Sequence, residues 1–366
     1  MKEIVILDGA RTPFGEFCSS LKDVTAIDLG VVASKEAIQR SQVKPEQINH
    51  VVFGNALQTS SDAIYLARHV GLKSGLPIST PAMTINRLCG SGLQAIVSAS
   101  QLLLLDEAEF VLAGGAENMS QSPHVIRGAR WGFELGKGQL EDTLWSSLTD
   151  PYCGCSMAIT AENLAEKYKI SRQEQDEYAY RSQKQASLAW GKCWLKEEIA
   201  AVEIKNRKGD TILVEKDEHI RETTLEGLAK LKAYFRKDGY VTAGNASGIC
   251  DGAAAVVLTT KEKAQKLGLK YMGKILGWGY VGVEPSIMGI GPVYAIKSVL
   301  QKVGLKLEQI DLFEINEAFA AQYLAVEKEL GLDRNKVNVN GGAIALGHPL
   351  AASGARLSLT LLYEMR

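Results

Sequence analysis

A stretch near the start of the chain recurs near its end at one fixed distance. Residues 43–49 read VKPEQIN and residues 305–311 read LKLEQID, 262 positions apart. The same displacement, with no gap, lays SKEAIQR (34–40) over IKSVLQK (296–302) and VVFGNA (51–56) over FEINEA (313–318). It also lays CGSGLQAI (89–96) over AASGARLS (351–358). A duplicated unit of this length packs most simply as a pseudo-twofold pair with a shared core. Helical periodicity alternates with short β-branched runs, so the unit is α/β. The displacement also exposes an asymmetry, because Arg366 falls over Leu104. The first copy continues with DEAEFVLAGGAENMS, a strand and a glycine turn. The expectation is either a second sheet short of a strand or a natural chain longer than this sequence.

Between the copies, from about Met119 to Gly248, the sequence changes character. Charged helices dominate and strand signals are sparse, which reads as an insertion lying over the core. Ser171 with Glu174 three residues on predicts a capping box at the start of one of these helices. The basic residues Lys205, Arg207, Lys208 and Arg221 are candidates to meet a phosphorylated ligand, although mixed charge is more often a solvated face. The expected division is 1–118 plus 249–270 for the first half, 119–248 for the insertion and 271–366 for the second half.

The net charge of −1 implies no general attraction to nucleic acid or to an anionic membrane. No apolar run approaches the roughly 20 residues that span a bilayer. MKEIVILDGARTPFG reads as a strand rather than a signal peptide. The six scattered cysteines are then expected as free thiols in a reducing cytosol, and the expected location is the cytoplasm. Cys153 and Cys155 form a C-x-C without a second ligand pair nearby, so no metal site is expected.

Cys89 lies in NRLCGSGLQAI, between an apolar strand-like run (81–85) and a helix apolar on nearly every face (93–105). That helix should be buried between layers. A thiol at a helix N-terminus meets unpaired N–H groups that favour thiolate. Gly90 and Gly92 would let a substrate approach the backbone, and Ser91 would cap the helix. A buried structural cysteine is the plain alternative. Two further motifs weigh against it. Gly347-His348-Pro349 precedes the turn that is the repeat mate of the Cys89 turn. Asn316 and Glu317 end an apolar strand, the edge at which α/β sites form. His348 would stabilise a thiolate or an oxyanion, and Asn316 would hold a water or carbonyl unless it is only a helix N-cap.

NRLCGSGLQAI, GGAENMS (114–120), TAGNASGICDGAAA (242–255), NEAFAAQ (316–322) and NGGAIALGHP (340–349) resemble the signature blocks of the thiolases. The likeness runs the length of the chain and is strongest to the acetyl-CoA acetyltransferase branch. It implies an α/β thiolase fold: two duplicated βαβ-rich halves in a five-layer α-β-α-β-α core, with an inserted loop domain over the coenzyme A site. It implies a homodimer or homotetramer and no tightly bound cofactor. Acetyl-CoA, acetoacetyl-CoA and CoA are the implied ligands. The implied chemistry is ping-pong through S-acetyl-Cys89. His348 would activate the thiol and, with a water on Asn316, form one oxyanion hole. The N–H of Cys89 and a glycine near the chain end would form the other. The matching coenzyme A positions are Ser247 and Ala243, with Leu148, Met157, Phe235, Met288, Ala318 and Phe319 around the pantetheine.

Three departures stand out. The family's second cysteine, in a C-x-G-G-G-x-G block, does not occur before Arg366. Ser156-Met157-Ala158 replaces His-Met-Gly, and HPLAASG carries Ala351 where glycine is usual. The alternatives are a longer-chain 3-ketoacyl-CoA thiolase and a scaffold that binds acyl-CoA without condensing it. A decarboxylating ketoacyl synthase fits the NEAF and GHP blocks poorly.

Overall fold

Near-continuous apolar and small-residue runs build strands buried on both faces here. The computed structural model describes residues 2–206 and 208–366. Its seven-stranded sheet comprises β1 (Ile4–Arg11), β2 (Gly15–Glu16), β3 (His50–Gly54), β4 (Ala82–Ile85), β5 (Phe110–Asn118), β6 (Cys250–Thr260) and β7 (Gly273–Ile275). The order is β7-β1-β6-β5-β3-β4, with β2 beside β6. The two pairs β5–β3 and β3–β4 are parallel and the others are antiparallel. Val5, Leu7, Val51, Phe53, Ala255 and Val257 face one layer. Ile4, Ile6, Val52, Val111, Val256 and Leu258 face the opposite one.

The helices that cover the sheet in the first half are α1 (Ala26–Ser41), α2 (Leu66–Lys73) and α3 (Ser91–Leu104). The insertion supplies α4 (Met157–Tyr168) and α5 (Arg172–Gly191), and the second half α6 (Gly291–Val303), α7 (Ala320–Leu330) and α8 (Leu350–Met365). Residues of α1 and α2 join Val5 and Leu7, whereas α3 and α8 together cover the other face through Ala95, Ala99, Ala355 and Leu359.

The pseudo-twofold axis shows where α3 crosses α8. A Cβ on Gly92 would lie 2.7 Å from the nitrogen of Ala355, and one on Gly354 would lie 2.4 Å from the nitrogen of Leu93. Each glycine thus touches the residue after its repeat mate, as a twofold crossing requires. The duplication extends to small turns. Gln47 Oε1 accepts from Lys44 N at 3.0 Å, and Gln309 Oε1 accepts from Lys306 N at 2.8 Å. Val51 pairs in parallel with Ala82, and its mate Phe313 pairs in parallel with Val337. Beyond that bridge, no ladder forms in the second half among the described residues.

The insertion departs from expectation in part. It contains three two-stranded hairpins, and α4 and α5 share a core with α7 through Leu164, Tyr178, Tyr323 and Leu324. It is moored by Arg11 at the end of β1, fully buried between Glu198 and Asp217. β7, which lies just past the expected division at 270/271, pairs with β1 and so extends the first half's sheet. α3 buries Ala95, Ile96, Ala99 and Leu103, but Leu93 is exposed, so one of its faces is open. The capping box at α5 forms, with Ser171 N donating to Glu174 Oε2 at 2.7 Å.

Candidate active site

Cys89 owes its position to a turn clamped from beneath. β4 ends at Ile85, and Asn86 Oδ1 accepts from Leu88 N at 2.9 Å. Leu88 turns the chain with φ of 48°, a left-handed conformation that costs a branched side chain roughly 1–2 kcal/mol. Ser91 Oγ accepts from Arg87 N at 2.8 Å and donates to Leu88 O at 2.6 Å. Ser91 therefore staples the turn and does not cap the helix; Gly90 occupies the cap position. Gly92 is also not a gap for substrate. Its missing side chain is what lets α8 approach, since a Cβ there would meet Ala351 O at 2.5 Å.

His348 follows Gly347, whose φ of 99° admits glycine readily. His348 N donates to Gly248 O at 3.0 Å, which ties the second half to the end of the insertion. The ring is buried and its tautomer follows from its partners. Ser353 Oγ spends its one proton on Pro349 O at 2.9 Å. It therefore accepts from His348 Nδ1 at 2.5 Å. Nε2 is then the unprotonated nitrogen, and Asn316 Nδ2 donates to it at 3.3 Å. Asn316 is not a helix N-cap, because α7 begins at Ala320 behind Phe319. Its Oδ1 is buried and unpaired among the described residues. The next residue, Glu317, is a buried clamp. It accepts from Tyr178 Oη and Ser182 Oγ at 2.7 Å each, from Asn338 Nδ2 at 3.0 Å and from Ile344 N at 3.1 Å. That network fixes the strand end carrying Asn316 to the loop leading into His348.

The two turns meet at one cavity of about 170 Å³. Cys89 and His348 line it, together with Ser247, Leu148, Met157, Phe235, Met288, Ala318 and Phe319, all singled out in the sequence. Asn316 reaches it through His348. Ala243 does not line it. Thr242 and Asn245 close a tight turn, with Thr242 N on Asn245 Oδ1 at 2.8 Å, and Ala243 projects to the surface. Ala246 takes its place in the wall and pairs with Phe319. The chain then continues through Ser247, whose N–H meets Ala318 O at 2.9 Å. Met119, Ile249 and Leu350, each within a quoted segment but not singled out, also line the cavity, as does Trp145, which carries no local signal. Ser353, one helical turn past His348, was legible as a hydroxyl in the first turn of α8 and was missed. The candidate phosphate contacts Lys205, Lys208 and Arg221 are not in the wall, and Arg207 lies outside the described residues. Lys205 instead donates to Thr211 across its hairpin at 2.6 Å.

Electrostatics reverse one expectation. The Cys89 residue is half-buried but its sulfur is enclosed, and burial pushes the thiol up to about 11. Its own backbone N–H acts in the opposite direction and is outweighed. The helix N-terminus does not keep a standing thiolate. Burial, and then the Arg356 cation, lower His348 to about 4, so its imidazole is neutral at physiological pH. A neutral thiol beside a neutral base with an unprotonated Nε2 is the pairing in which proton transfer accompanies attack on an electrophile. Glu117 lies close enough to oppose a negative charge on the sulfur. Its carboxylate accepts from Asn55 Nδ2 and Leu57 N at 3.0 Å on one oxygen. On the other it accepts from Ala56 N at 3.0 Å and Ala351 N at 3.1 Å, which joins the two halves beneath the site.

Comparison with known proteins agrees with this geometry. Residues 4–262 match the thiolase N-terminal domain and residues 269–366 match the thiolase C-terminal domain. The human mitochondrial 3-ketoacyl-CoA thiolase is 52% identical over 100% of this chain and 92% of its own length. An acetyl-CoA acetyltransferase of Syntrophomonas wolfei is 48% identical over 100% of this chain and 93% of its own. The crystal structure of the human enzyme in complex with CoA superposes with a TM-score of 0.96 at 52% identity, covering 100% of this chain and 92% of that one. With both halves matched in chain order over nearly the whole length, the chain belongs to the thiolase family of CoA-dependent acyltransferases.

Proposed function

We propose that this thiolase joins two acetyl-CoA molecules to give acetoacetyl-CoA and CoA, and runs the reverse thiolysis, through S-acetyl-Cys89. One observation carries the assignment: Cys89 and His348 approach one cavity from equivalent turns of the two copies, with Nε2 of His348 unprotonated. His348 Nε2 takes the thiol proton as the sulfur attacks the thioester carbonyl. The proton then leaves with the departing CoA thiol. Exchange between two sulfurs is close to thermoneutral, so the step is reversible. The unpaired Asn316 Oδ1 is the atom that would hold a water against the developing oxyanion. Apolar walls at Leu148, Met157, Phe235, Met288 and Phe319, broken by Ser247, suit a pantetheine thread.

A second assignment, thiolysis of longer 3-ketoacyl-CoA, is supported by the human relative's name and 52% identity. The test compares kcat/KM for acetoacetyl-CoA with that for 3-ketooctanoyl-CoA. Preference for acetoacetyl-CoA supports the first assignment, and a tenfold preference for the longer substrate moves it to the second. Acetylation of Cys89 without turnover of either would favour a binding scaffold. A second copy of the chain is proposed to cover the open edge strand β4. Exposed Ile64, Tyr65, Ile78, Met83, Leu88 and Leu93 lie on or beside that edge.

A further inference from the structure

The Cys-Gly-Cys segment takes no part in the chemistry above. It sits in a hairpin in which Thr149 pairs with Ser156 and Asp150 pairs with Cys155. The hairpin's ends are wall residues of the active-site cavity. Leu148 enters it, Ser156 and Met157 leave it, and Met157 N donates to Leu148 O at 2.8 Å to close its base. At the tip, Gly154 has φ of 68° and its N–H meets Asp150 O at 2.9 Å, folding the chain back. Cys155 Sγ lies 3.5 Å from Cys153 O, and Cys153 Sγ lies 3.6 Å from Asp150 Oδ2. Desolvation holds the Cys153 thiol above its ordinary range, and the Cys155 thiol, a direct hydrogen-bond neighbour, adds to the shift. Both residues are half-buried and reachable. No group of three ligating side chains that could hold a metal occurs among the described residues.

We propose that Cys153 and Cys155 form a modification site: a dithiol that low-molecular-weight disulfides oxidise to an intramolecular disulfide, changing the cavity wall at Leu148, Ser156 and Met157. One cysteine thiolate attacks a sulfur of R–S–S–R and expels one R–S⁻. The second cysteine thiolate then attacks the protein sulfur of the mixed disulfide and expels the other R–S⁻. Two protein thiols lose two electrons and two protons, and one external disulfide becomes two thiols. Bridging needs Cα atoms about 4.4–6.8 Å apart, a separation that residues two apart reach when the chain folds back through a turn, as it does at Gly154 between Cys153 and the strand that Cys155 opens. Closure fixes the turn at Gly154 and constrains the strand that carries Cys155 and Ser156 into the cavity wall.

The site is tested in Cys89→Ser protein treated with oxidised glutathione at pH 8, followed by peptide mapping and by titration with CoA. The expected result is a Cys153–Cys155 disulfide and a CoA dissociation constant raised roughly 5-fold, the change given by about 1 kcal/mol. Reductant should restore the affinity, and Cys153→Ser in the same background should show neither effect. Separate glutathione adducts on the two cysteines, or unchanged CoA affinity after closure, would overturn the proposal. Neither readout needs turnover, so failure here is distinct from failure of the acetyl-transfer assignment.

Discussion

Ser353→Ala removes one hydroxyl from the far side of the catalytic ring and leaves every atom of the cavity wall in place. Ser353 Oγ is buried and accepts the Nδ1 proton of His348 at 2.5 Å while donating to Pro349 O. Without it, Nδ1–H has no partner, and an unsatisfied buried donor costs about 1–3 kcal/mol. The ring can relieve that cost by moving its proton to Nε2, where it opposes the donating Asn316 Nδ2 and leaves no base facing Cys89. The loss grows as the ring becomes imidazolium, because hydrogen bonds from a charged donor are roughly twice as strong. The expected outcome is a fall of roughly 5- to 150-fold in kcat for acetyl transfer, with KM nearly unchanged. Acetylation of Cys89, followed by quenched-flow mass spectrometry, reads the first half-reaction directly. Ser358→Ala is the control: its hydroxyl makes a similar bond to Gly354 O at 3.0 Å on the same helix but touches no catalytic group. If the Ser353→Ala protein is folded and acetylates Cys89 at the original rate, Nδ1 is not the protonated nitrogen, or His348 does not carry the proton.

Gly92→Ala should destabilise strongly, by about 3 kcal/mol or more, because its methyl would meet backbone atoms of α8 at 2.5 and 2.7 Å; thermal unfolding with Gly90→Ala as the milder comparison checks this. Glu117→Gln turns an amide NH₂ toward two of four donors, so about 2–4 kcal/mol of stability should be lost; an unchanged melting temperature would mean the clamp between the halves is not formed. His348 titrates at about 4 when folded against an ordinary 6.5, so the unfolded chain binds more protons between those values. Its contribution to stability is present above pH 6.5 and falls as pH drops toward 4, and the acid limb of kcat/KM should lie near 4. A limb at 6.5 in the pH–rate profile would show a solvated ring. In alkylation, exposed Cys18 and Cys193 should react before the enclosed Cys89, and protection by acetyl-CoA should single out Cys89; protection centred on another cysteine would reassign the nucleophile.

The duplication, the insertion, the Cys89 turn and the GHP and NEAF segments were all visible in the chain, because repeats, glycine turns and periodicity are local or one-dimensional signals. Seven of the eight proposed coenzyme A positions line the cavity; Ser247, Ala318 and Phe319 lie in the distinctive blocks, whereas Leu148, Met157, Phe235 and Met288 lie outside them and came from the resemblance alone. Ala243 fell outside because a four-residue turn, Thr242 to Asn245, decides which alanine of TAGNASG points inward. Three matters were settled only by the fold. The duty of Gly92 became clear when α8 was seen to press on it, since the contact spans the two copies. The tautomer of His348 depends on a serine, an asparagine and a proline carbonyl brought together from α8 and a distant strand end. The thiol of Cys89 sits near 11 rather than below its ordinary value because desolvation is summed over every neighbour, however remote in sequence, whereas the helix terminus that argued for a thiolate is only its nearest one.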